Sequence, residues 1–105
     1  MKTKNYFDKG SQNVILSPSG LIVVAVTPNQ VDLRWDFVDG AKEYKIYKDG
    51  KFLQSTPHII TTDTNVKPGS VYSYSISSVD KDGKEGDRCK AITARTLDLF
   101  QDNVQ

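Results

Sequence analysis

An all-β chain, folded as an antiparallel sandwich or a small barrel, is what this sequence predicts. Three observations carry that reading. Short β-rich runs recur at close spacing from Pro18 onward, Asp-Gly turn dipeptides separate several of them, and no window shows helical periodicity. A chain of 105 residues suits one domain, and a domain of that size buries roughly two-thirds of its unfolded surface.

Residues 1–17 are polar, with Gly10, Ser11, Gln12 and Asn13 at their centre, and read as a tail or interdomain linker. Val14–Leu16 is a candidate short strand within it. Leu21–Val26 is a β-branched run. Val31, Leu33 and Trp35 alternate with polar residues and so share one face. Lys42–Lys48 alternates again, placing Tyr44 and Ile46 together. Phe52–Gln54, Ile59–Thr62, Val71–Val79 and Ala91–Thr96 complete a set of about seven strands. The tetrapeptide KDGK occurs at Lys48–Lys51 and at Lys81–Lys84, and each copy predicts a hairpin because glycine accepts positive φ. Asp39-Gly40 marks a third turn. Residues 98–105 read as a C-terminal tail, leaving 18–97 as the domain.

The composition narrows the function classes. Fourteen basic and thirteen acidic side chains leave a formal charge of +1. No basic stripe implies nucleic acid or anionic lipid, and the longest apolar run, Leu21–Val26, is too short for membrane insertion. Cys89 stands alone, so neither an intrachain disulfide nor a cysteine metal cluster is expected. The first residues, MKTKNYFDKGSQNV, carry two lysines but no apolar segment after them, unlike a signal peptide. Cytoplasm, virion, or part of a longer secreted or cell-surface protein all remain open as locations.

The ordered motifs resemble a fibronectin type III domain over about Pro18 to Thr96. PSGLIV is similar to the family's first strand, and VDLRW to the second, which ends in the core tryptophan, here Trp35. AKEYKIYKDG resembles the third strand, whose tyrosine is Tyr44. TTDTNVKPGSVYSYSISSVDKDGKEG resembles the run found in bacterial versions, and ITART the last strand. The resemblance implies a seven-stranded antiparallel immunoglobulin-like β-sandwich. A true immunoglobulin domain would need a cysteine pair between its sheets, and Tyr74 stands where one cysteine would fall.

In that frame Trp35, Tyr44, Tyr72 and Tyr74 are expected as structural core, with Leu21, Val23, Leu33, Ile46 and Ile76. Tyr72 is expected to form a tyrosine corner, its hydroxyl bonded to backbone a few residues upstream. Losing that hydroxyl would leave a buried partner unsatisfied, at a cost of about 1–3 kcal/mol.

Candidate sites are weaker. His58 is the sole histidine and nothing beside it suggests an oriented nucleophile, so no catalytic residue is expected. Asp80, Asp82 and Glu85 alternate around Gly83 like part of a calcium loop, but Lys81 and Lys84 intervene and a hairpin between the last two strands explains Asp82-Gly83. Glu85-Gly86-Asp87 is not an Arg-Gly-Asp adhesion motif. Tyr6, Phe7, Phe37, Tyr47 and Phe52 fall off the core pattern, and Tyr47 with Phe52 are the candidates for stacking on sugar or protein.

The expectation is a non-catalytic spacer or interaction module, monomeric and without cofactor, inside a larger bacterial extracellular protein such as a polysaccharide-degrading enzyme. Its partners would be the neighbouring domains, with a polysaccharide or another protein as candidates. A virion-associated module, or a module binding glycan or protein through loops or an edge strand, is the alternative.

Overall fold

A computed structural model describes residues 14–99. The Tyr6-Phe7 pair, and any packing of it on a neighbour, lie outside the described residues. Seven strands form: β1 (Ile22–Thr27), β2 (Gln30–Arg34), β3 (Ala41–Lys48), β4 (Lys51–Thr56), β5 (Ile60–Asp63), β6 (Val71–Asp80) and β7 (Ile92–Arg95). They build two antiparallel sheets, one ordered β1-β2-β5 and the other β4-β3-β6-β7. The chain is therefore all-β, a sandwich rather than a closed barrel. Val14–Leu16 is not a strand.

Period-two alternation aims the large side chains inward. Val31, Leu33 and Trp35 from the first sheet meet Tyr44, Ile46, Tyr74 and Ile76 from the second, all buried. Trp35 sits edge-to-face on Tyr44, with centroids 5.5 Å apart. The Tyr44 hydroxyl accepts the Val38 N–H at 3.0 Å, so this buried phenol keeps a partner. Leu21 and Val23 pack against the core only in part, at the margin of β1.

The two KDGK turns differ. At β3–β4, Asp49 and Gly50 both have positive φ, 51° and 83°. That is the two-residue hairpin whose twist matches its strands. At the second copy, Asp80 anchors the turn by accepting the Asp82 and Lys84 N–H groups on Oδ1, each at 2.9 Å. The chain does not then enter β7 directly. It returns beside β6 through Gly86 N–H to Ser78 C=O (2.9 Å) and Cys89 N–H to Ile76 C=O (2.8 Å). Regular pairing resumes at Tyr74 with Ile92. The partner positions slip by one residue between 78/86 and 76/89, and by another before 74/92, so the return is twice bulged. The expected simple hairpin is thus corrected to a long, irregular return.

The segment's two ends lie at opposite poles. Near its start, the Ile15 carbonyl packs so tightly on Gly86 that a Cβ there would collide. Near its end, Leu97 C=O accepts the Gly69 N–H at 3.0 Å, just before β6. β6 spans ten residues between those poles, about 33 Å at strand rise.

Candidate functional site

The strand VYSYSISSVD organises two polar clusters among the described residues. Its inward positions begin with Tyr72, Tyr74 and Ile76. Tyr74 and Ile76 are fully buried, whereas Tyr72 is half-buried beside the β5–β6 turn. The Tyr72 hydroxyl accepts the Lys67 N–H at 2.8 Å, five residues upstream. That N–H belongs to an exposed residue, so water replaces the phenol if it is lost. The larger cost expected for a buried partner is corrected accordingly: Tyr72→Phe should lose about 1 kcal/mol, read as a small shift in a urea midpoint. A loss as large as that of a core truncation would contradict this account.

Beside it lies an ion pair that sequence reasoning missed. Asp63, at the end of β5, is 3% exposed. Its Oδ2 accepts the Tyr74 hydroxyl at 2.6 Å and lies 3.0 Å from Lys48 Nζ. Its Oδ1 accepts the Asn65 N–H at 3.0 Å. Lys48, at the end of β3, also donates to the Asn65 carbonyl and lies 4.6 Å over the Tyr72 ring. Burial pushes the Asp63 carboxyl upward, but the Tyr74, Asn65 and Lys48 contacts outweigh it and hold the group below the usual carboxylate range. Burial and the neighbouring carboxylate push the Tyr74 phenol well above its ordinary value. The cluster clamps β3, β5 and β6 at one pole across both sheets.

The second cluster covers the outer face of the four-stranded sheet. Glu85 folds from the irregular return onto β6 and β3. Its Oε2 accepts the Ser77 and Tyr47 hydroxyls, each at 2.5 Å, and its Oε1 lies 3.6 Å from Lys45 Nζ. Desolvation would raise the Glu85 carboxyl, but these donors and Lys45 hold it lowered. The Tyr47 phenol is raised by burial and by Glu85. The Arg88 guanidinium lies 3.5 Å over the Tyr47 ring and donates to the Gly50 carbonyl at 3.2 Å. Tyr47 is consequently only 7% exposed. The expectation of Tyr47 as a surface stacking platform is overturned, because the return from Lys81 to Ala91 lies over it. Phe52 remains 55% exposed and meets Tyr47 edge-on, with centroids 5.9 Å apart. Phe37 is also exposed but lies apart, between β2 and β3.

No catalytic or metal constellation emerges among the described residues. His58 is exposed, and its backbone N–H meets only Thr56 Oγ1. The carboxylates of Asp80, Asp82 and Glu85 do not converge: Asp80 caps its own turn while Glu85 turns away to Ser77 and Tyr47. Among the described residues no three metal-ligating side chains come together. A shallow groove of about 440 Å³ opens at that pole, lined by Ile15, Asp39, Gly40, Asp80 and Lys84 among others. Its opposed charges give it no single ligand preference.

Comparison with known proteins places this architecture. No protein-family model matches the chain. A poly(3-hydroxybutyrate) depolymerase of Ralstonia pickettii is 33% identical over 84 residues, 80% of this chain but 17% of that protein. An amylopullulanase of Thermoanaerobacter thermohydrosulfuricus is 39% identical over 69 residues, 58% of this chain and 5% of that protein. Among solved structures, FN3tt superposes with a TM-score of 0.67 at 27% identity, covering 76% of this chain and 91% of that one. A Fn3-like protein from Clostridium thermocellum superposes with a TM-score of 0.70 at 24% identity, covering 83% and 98%. The chain folds as a fibronectin type III domain. The seven antiparallel strands of this type III domain, in two facing sheets, are the sandwich its motifs implied. The chain spans about a sixth or less of the curated relatives it matches.

Proposed function

We propose that this type III domain is a non-catalytic spacer within a larger secreted, polymer-degrading enzyme. The observation that carries the reading is the asymmetry of the matches. Four-fifths of this chain corresponds to a sixth of the Ralstonia depolymerase, as expected of one accessory module among larger domains. The geometry agrees with a positional role. The described segment enters at one pole and leaves at the other, and the buried Lys48–Asp63–Tyr74 clamp ties the two sheets into one stiff body. Neighbours attached beyond the two ends would be separated by at least the length of the sandwich, of which β6 spans about 33 Å. Among the described residues the sole histidine, His58, is exposed and meets no nucleophile or carboxylate that would orient it.

The test is the reading frame from which the chain comes. Sequencing through both flanks should show the frame continuing into a hydrolase domain. A frame encoding this domain alone, or one running into virion structural domains, would refute the proposal. Such a hydrolase domain, expressed with and without the type III domain, should show equal turnover of a soluble small substrate.

A further inference from the structure

We propose that the outer face of the four-stranded sheet, at Phe52 with Lys45 and Arg88, binds an acidic polysaccharide built of uronic acid residues. Three observations meet there. Phe52 is an exposed ring held edge-on by the buried Tyr47. Lys45 Nζ lies 5.9 Å from the Phe52 centroid on one side. Arg88 lies 3.5 Å over the Tyr47 ring and is tethered to the Gly50 carbonyl, its one hydrogen bond among the described residues. An apolar ring is thus presented with two pre-positioned cations, both in contact with the same Tyr47–Phe52 pair.

The charges decide the ligand class. A pyranose ring offers a flat C–H face to an aromatic side chain. A sugar carboxylate is what a guanidinium fork recognises best. A neutral glycan would leave the Arg88 guanidinium without a carboxylate partner, and an acidic peptide would use that cation but offer no flat ring to Phe52. Glu85 is the carboxylate that faces these cations. Its Oε2 is engaged by Ser77 and Tyr47 while its Oε1 pairs with Lys45 at 3.6 Å, so Arg88 is the cation that no carboxylate pairs among the described residues. Glu43, two residues before Lys45 in the same strand, is the next acidic group on that face. The proposal stands independently of the spacer reading.

Native gels cast with polygalacturonate, with amylopectin or with poly-L-glutamate provide the test. Polygalacturonate should retard the domain, amylopectin should not, and poly-L-glutamate should do so much less. Added salt should weaken the retardation as the ion pairs are screened. Phe52→Ala and Arg88→Gln should each weaken apparent binding about tenfold. Phe52 is exposed, so Phe52→Ala should keep the parent melting temperature, and Phe52→Tyr should restore binding. Absence of retardation by polygalacturonate, equal retardation by poly-L-glutamate, or full binding by Phe52→Ala would each overturn the proposal.

Discussion

Asp63→Ala is expected to destabilise the domain by about 3–5 kcal/mol, the range for breaking one side of a buried ion pair. The substitution removes the acceptor of the Tyr74 hydroxyl and of the Asn65 N–H, and leaves Lys48 without its counter-charge. The damage is therefore compound, and it falls on three strands at once. Asp63→Asn keeps the side chain's shape and one acceptor oxygen and should cost markedly less. Combining Asp63→Ala with Lys48→Met should recover part of the loss, since the stranded cation is then gone. The pH dependence follows from the lowered Asp63 carboxyl. Its stabilisation is fully present above the ordinary carboxylate pKa of about 4 and is lost as pH falls through the lower folded value. Urea unfolding between pH 6 and pH 2 should show the parent losing stability over that window more steeply than Asp63→Asn. Parallel pH profiles for the two proteins would contradict the role assigned to Asp63.

Trp35→Ala should cost a similar amount, about 3–5 kcal/mol. The mechanism is different. Trp35 is 1% exposed and fills the space between β2 and the inner face of β3, against Tyr44. Removing the indole leaves a cavity that the surrounding strands, fixed by their ladders, close only in part. Trp35→Phe should be far milder. It keeps a ring against Tyr44, and the Nε1–H that it deletes has no acceptor among the described residues. A melting curve barely changed in Trp35→Ala would refute the core assignment.

These two residues also show how far the sequence could be read. Trp35 was legible because Val31, Leu33 and Trp35 keep strict period two, and a bulky apolar residue in that phase has one destination. Asp63 obeys the same alternation through Thr61, but a carboxylate in an inward phase is a weak signal by itself. Its partners, Lys48 and Tyr74, sit on strands of the other sheet, and only the assembled sandwich brings them within 3 Å. Tyr47 failed for the converse reason. Its phase on β3 is outward, and outward positions on a sheet are expected to meet water. The irregular return from Lys81 to Ala91 lies over that face instead, so Ser75, Ser77 and Val79 are buried with it. Nothing local in the return's composition announces this, and Arg88 carries no motif of its own.

The twice-bulged return of the chain into β7 has a further consequence. Together with β4, β7 forms a rim of its sheet, and a straight, regular rim is a template for a strand from another molecule. Two register slips within the residues leading to Ile92 spoil the even spacing of donors and acceptors that a docking strand would need. What looks like a lapse in the sandwich's regularity therefore makes this rim a poor template for the addition of a strand from another copy.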